Sequence, residues 1–288
     1  MGCCVRRGLQ SSLQNRKPEI MQFKQFLLEQ DLTGASIDLI KQKCQPFLET
    51  SKGSPLFRAV TRPIESISVI PHPKSRPPRD SSPEFSFAFN SCIDATFDIV
   101  DIRQRSFFAV GSVTEAAKYA ENLAFCFPCG DFKYIWSEEI QDSYVGDDGG
   151  LGFLADYICT NLPKKYSKIT TEVMVEFFEN LFSIIGKNGS STWIHNLDGL
   201  AETYTELAAR ACSGRSILKL KHGDLVAVMK KFGTEMYSDA NLPLAIKSHN
   251  EIFFYESGGY VLVPFSAIVK FGTPVSVAYQ RFLEQLSR

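Results

Sequence analysis

The sequence predicts an α+β fold, and three observations carry that reading. Apolar residues recur at helical spacing between Phe23 and Leu48. Short apolar runs bounded by Gly, Pro, Asp and Ser occur on both sides of the chain's centre, and the centre itself reads as helices. With 288 residues, 44% of them hydrophobic, the chain is long enough to bury a sizeable core.

The elements follow in order. Phe23, Phe26 and Leu27 lie on one helical face and Ile37, Leu39 and Ile40 on another, divided at Thr33-Gly34, so two amphipathic helices are expected, the second closed near Pro46. Residues 54–60 suit a buried strand, and the proline-punctuated stretch from Pro71 to Pro83 reads as a loop. A phenylalanine-rich helix is expected over 85–97, a strand over 106–112 and a helix over 114–122. Leu123–Phe127 and Phe132–Trp136 read as a hairpin turned at Pro128-Cys129-Gly130-Asp131. After the linker-like Gly146–Gly150 run come helices at 151–160, 171–185 and 200–212. Strands return at 251–255 and 260–264, joined as a hairpin at Ser257-Gly258-Gly259, and a last helix covers 274–286. Residues 1–20 are expected to be a disordered N-terminal extension, and 21–288 a single α+β domain with a helical insertion at about 146–240.

Composition narrows the function classes. The formal net charge is -1, so the basic footprint of a dedicated nucleic-acid binder is missing. No apolar run approaches the roughly 18 to 20 residues that a membrane helix needs, and the N-terminus lacks the apolar stretch of a secretory signal. The eight cysteines are scattered, and Cys44, Cys92, Cys159 and Cys212 read as small core residues in a reducing, cytoplasmic setting. One CxxC, Cys126 to Cys129, lacks the further ligands of a zinc site, so no metal is expected. Met1-Gly2-Cys3-Cys4 looks like a lipidation start, although Arg6 replaces the usual hydroxyl residue and Met21 offers a second start. Glu138, Glu139 and Asp142 form a carboxylate cluster that reads as a solvated helix start or a site for a glycosidase or divalent ion.

Three segments carry chemistry. Arg58 lies in the strand Leu56-Phe57-Arg58-Ala59-Val60, where a planar, permanently charged fork suits two phosphate oxygens at once. Ser112 ends the run Ser106–Ser112, and with Glu115 three residues on it also satisfies a helix capping box. Glu251 opens the apolar run before Gly258-Gly259, and a fixed carboxylate there suits a reacting centre that becomes positive. Arg76 and Arg79, in the proline-rich loop, are further candidates for phosphate contact or a solvated basic loop.

In that order the segments resemble the arginine-serine-glutamate class of ADP-ribosyltransferases. The resemblance implies a split β-sandwich with flanking helices and NAD as cofactor. It implies Glu251, Arg58 and Ser112 as catalytic residues, with Arg58, Ser112, Arg76 and Arg79 on the cofactor and a protein or other macromolecule as acceptor. The chain departs from the family pattern at Ala59, where glycine is usual, and at Ala109-Val110-Gly111, where hydroxyls are expected. His249 stands where many members that modify arginine carry a second Glu or Gln, two residues before the catalytic one, and the interval from Ser112 to Glu251 must hold a helical insertion. Residues 75–82 and 131–137 also resemble stretches of uncharacterised bacterial-virus proteins. The rival reading is a non-enzymatic viral or host-directed interaction protein, which the balanced charge and aromatic richness fit equally well.

Overall fold

The computed structural model describes residues 34–76, 81–142, 149–186, 208–209, 217–270 and 272–288. Its strands are β1 (Phe57–Val60), β2 (Ser68–Ile70), β3 (Phe107–Ala109), β4 (Asn122–Pro128), β5 (Lys133–Trp136), β6 (Ile252–Tyr255) and β7 (Tyr260–Pro264). They form two antiparallel sheets, one ordered β1-β4-β7-β2 and the other β3-β6-β5.

The two hairpins expected at 128–131 and 257–259 do not form. β4 and β5 lie in different sheets, as do β6 and β7, and each short link crosses from one sheet to the other. The links pair with one another instead of turning back: Cys129 N donates to Gly259 O and Gly258 N to Cys129 O, both at 2.9 Å. Pro128 faces Tyr260 on one side of this corner and Lys133 faces Tyr255 on the other, so the register runs through without a slip. The sheets are thus two halves of one bent ribbon. Gly259 is required at the bend, because it holds φ +107 and a Cβ there would lie 2.2 Å from the Ile70 carbonyl oxygen.

The second sheet is covered on both faces. Ile252 and Phe254 join Phe107 and Trp136 in a core shared with the first sheet, while Phe253 and Tyr255 join Ile135 in a core with the helices. Strand residues alternate between faces, so the run Ile252–Tyr255 is apolar throughout because neither face meets water. Phe107 stacks on Phe254 at 5.1 Å and Phe89 on Phe253 at 5.9 Å.

The helices are α1 (Gly34–Thr50), α2 (Pro83–Phe97), α3 (Ile102–Arg105), α4 (Val113–Ala117), α5 (Gly149–Asn161), α6 (Thr171–Leu181), α7 (His222–Met236), α8 (Leu242–Ser248), α9 (Phe265–Ile268) and α10 (Val275–Ser287). Helix α2 starts where Ser82 Oγ accepts from Phe85 N ahead of Pro83, and ends at Asp98 in the left-handed region. It is buried nearly all round, which explains its apolar and small polar composition. It crosses α7 closely: a Cβ on Gly233 would fall 2.1 Å from Thr96 Oγ1.

Several boundaries differ from expectation. Pro46 lies inside α1, beyond a non-helical Cys44 (φ -117, ψ 17) that kinks the helix and relieves the proline. The helix expected over 114–122 stops at Ala117, because Asn122 is already paired with Val60 in the sheet. Strand β2 and helices α3, α7, α8 and α9 are additional to the expected elements. Between β5 and β6 the described residues form helices and turns apart from the Trp136–Ser238 bridge. The extension 1–20, the first amphipathic helix, Met21 and most of 200–212 lie outside the described residues. The described residues make one compact unit. Among the described residues, no helix is long and apolar enough to cross a membrane.

Candidate functional site

The sheets meet along a second seam, where Phe57 of β1 bridges to Val110, the residue after β3. Phe57 N donates to Val110 O at 2.8 Å and Val110 N to Phe57 O at 3.0 Å. A cleft of about 80 Å³ opens beside this bridge, and Arg58, Arg76, Phe108, Tyr119 and Glu251 line it. Three residues singled out in the sequence therefore share one cleft, although they come from a strand, a loop and the segment before β6.

Arg58 is fixed by β1, where it lies opposite Ala124. Its Nη1 donates to the Phe108 carbonyl, and its guanidinium lies 5.2 Å from the Tyr260 ring centre. Arg76 lies on the same residue, with its guanidinium 4.1 Å from the Phe108 ring centre. The loop carrying Arg76 is anchored by Arg76 N to Gln104 O at 3.2 Å and by His72. His72 Nε2 donates to Arg105 O at 2.6 Å, and its Nδ1 lies in hydrogen-bond contact with the Ser257 hydroxyl at 3.0 Å.

The two guanidinium groups are incompletely satisfied. Arg58 Nε, Arg76 Nε and Arg76 Nη2 are buried donors with no hydrogen-bond partner among the described residues. Burial, followed by the charge of Arg58, pushes Arg76 down to about 10, with Glu251 acting in the opposite sense. Arg76 still carries its charge at neutral pH, so two cations lie close together with donors unused. Such an arrangement costs stability unless an anion completes it.

Glu251 is 5% exposed, and its backbone N donates to Gln141 O at 3.0 Å. The preceding Asn250 holds this segment, its Nδ2 donating to the carbonyls of Ser137 and Glu138 at 2.9 Å each. Tyr119, on the opposite wall, donates its hydroxyl to Asp142 Oδ2 at 3.1 Å. Burial and then the carboxylates of Glu251, Asp142 and Glu115 raise its pKa far above the usual phenol range. Val110 and Tyr119 also line a neighbouring cavity of about 380 Å³ with Glu115, Lys118, Asp142 and His249. The cleft is thus cationic at Arg58 and Arg76 and anionic toward Tyr119.

Ser112 does not reach this cleft. Its side chain accepts from Glu115 N and caps α4, and it lines a different cavity of about 300 Å³ with His249 and Tyr279. The N-cap bond accounts for it, and this wall of the cleft is made by Phe108 and Ala109 of β3 with Val110 after them. Arg79 lies outside the described residues. Glu138, Glu139 and Asp142 do not gather for a metal, and no group of His, Cys, Asp or Glu among the described residues could hold one. Phe108, Tyr119, Asn250 and His72 were not singled out from the sequence, because their roles depend on contacts between distant segments.

No protein-family model matches the chain, and neither a curated protein nor a solved structure shows significant similarity to it.

Proposed function

We propose that the chain is an NAD-dependent ADP-ribosyltransferase, a glycosyl-transferring enzyme that modifies a protein or other macromolecule. The observation that carries this reading is the pairing of unsatisfied guanidinium donors on Arg58 and Arg76 with the buried carboxylate of Glu251 in one cleft. Arg58 and Arg76 supply the planar, charge-assisted donors that a pyrophosphate demands. Glu251 supplies an anion beside them, suited to a ribose carbon that becomes positive as its leaving group departs. NAD, when bound, provides an ADP-ribosyl group attached to a cationic nicotinamide.

Further support comes from the architecture and the chemistry of the walls. Two small antiparallel sheets sharing a bent ribbon are compatible with the split β-sandwich of this enzyme class. The cleft alone is smaller than the roughly 300 to 1,000 Å³ of ordinary ligand pockets, and the cavity behind Tyr119 supplies additional room. The carboxylates around Tyr119 suit a cationic group, and the arginines suit phosphate. Free thiols at Cys44, Cys92, Cys126 and Cys129 fit a reducing, cytoplasmic setting.

The test is nicotinamide release from NAD in the presence of a protein mixture as acceptor. Glu251→Gln is expected to slow release by about a hundredfold or more, as loss of one preorganised electrostatic group does. Equal turnover in the variant would remove Glu251 from the mechanism.

A further inference from the structure

Away from the cleft, helix α1 meets the ribbon corner through two thiols. Cys44 Sγ lies 3.7 Å from Cys129 Sγ, and both point toward the Phe127 carbonyl oxygen, at 3.6 and 3.9 Å. Gly130 N donates to Lys43 O at 2.7 Å, which clips the helix to the same corner. Cys44 is fully buried and Cys129 is 5% exposed.

The sequence motif points elsewhere. A CxxC ordinarily nominates its own two cysteines, here Cys126 and Cys129. Cys126 lies in β4 and Cys129 continues the ladder beyond it, so the chain between them is extended. Three residues of strand span about 10 Å, whereas a disulfide needs Cα atoms within roughly 7 Å. The local pair is too far apart, and the partner in reach is 85 positions distant.

We propose that Cys44 and Cys129, rather than the two cysteines of the CxxC, form an oxidant-sensitive dithiol that closes to a disulfide and staples α1 to the corner joining the two sheets. Cys129 is the sulfur that meets the oxidant, and Cys44 is the one that closes the bond. The Cys44 hydrogen bond is the main influence holding its thiol below the usual range, with Lys43 adding to it and burial opposing, while Cys44 is raised. With hydrogen peroxide, the Cys129 thiolate takes one oxygen to become a sulfenic acid and releases water after proton uptake. The Cys44 sulfur then attacks the Cys129 sulfur, the S–O bond breaks, and a second water leaves. Two thiols and one peroxide thus give one disulfide and two waters, the peroxide accepting two electrons.

The test is peptide mapping by mass spectrometry of the full chain, before and after graded hydrogen peroxide and with free thiols blocked afterwards. The expected product is a linked pair of peptides holding Cys44 and Cys129, lighter by two hydrogens. It should persist in Cys126→Ser and disappear in Cys44→Ser. The oxidised wild type is also expected to melt roughly 5 to 10 °C higher, as closure of a long loop implies. A Cys126–Cys129 link would overturn the proposal. So would free Cys44 and Cys129 at peroxide levels that oxidise a small model thiol, or a disulfide that leaves the melting temperature unchanged. Should Cys44→Ser fail to fold, the wild-type and Cys126→Ser maps decide the matter alone.

Discussion

Arg58 and Arg76 converge on Phe108, the first donating to its carbonyl oxygen and the second lying over its ring. The arrangement concentrates positive charge and leaves donors unused on both side chains. Its chemistry is poorly suited to holding a fold together and well suited to receiving phosphate.

A trade between stability and binding follows. Arg76→Leu keeps apolar contact with Phe108 and removes a charge crowded by Arg58. The ligand-free variant is expected to be more stable by about 1 kcal/mol, as is common when a strained binding group is removed. Its affinity for ADP-ribose should fall by roughly ten- to a hundredfold, the loss of a charge-assisted contact of about 1.5 to 3 kcal/mol. Urea denaturation and calorimetric titration check both halves, with the exposed Arg62→Ala as the neutral control.

Ser112 gives a contrasting case. As the cap of α4 it is expected to cost about 0.5 to 2 kcal/mol of stability when replaced by alanine. Affinity for ADP-ribose should not change, since Ser112 lies outside the cleft. A stability loss without an affinity loss separates capping from cofactor contact.

The crossing of α2 and α7 predicts opposite signs for one substitution at two helical glycines. Gly152→Ala in α5 meets nothing within 4 Å and should stabilise the protein by about 0.5 to 1 kcal/mol. Gly233→Ala in α7 would drive its Cβ against Thr96 Oγ1, and a loss of about 1 to 3 kcal/mol is expected from overpacking. Denaturation midpoints of the two variants, measured together, test the packing directly.

Asn250 is the support beneath the candidate catalytic carboxylate. Asn250→Ala strips two carbonyls, those of Ser137 and Glu138, of their donor. A destabilisation of about 1 to 3 kcal/mol is expected from the unsatisfied groups. Denaturant unfolding checks it.

The sequence made the elements legible and their pairing much less so. Short apolar runs and their flanking turn residues located β1, β3 and the four strands of the ribbon, because those signals are local. Pro128–Asp131 and Ser257–Gly259 carry the marks of tight turns, yet each is a corner paired with the other, a contact spanning more than a hundred residues that no local pattern reveals. The same limit applies to the site. Arg58, Arg76 and Glu251 could be chosen for their chemistry, but Tyr119 and Phe108 look like ordinary aromatics until β1, β3 and the segment before β6 are brought together. Ser112 shows the reverse, a residue whose local capping pattern explains it fully.

The proposed function requires NAD to bind in the cleft of Arg58 and Arg76. Calorimetric titration of NAD into the wild type, the Arg58→Ala/Arg76→Ala double variant and Glu251→Gln tests it most directly. The wild type should bind, Glu251→Gln should bind nearly as well, and the double variant should lose about a hundredfold or more in affinity. Absence of binding to the wild type at millimolar NAD, or equal affinity in the double variant, would overturn the proposed function.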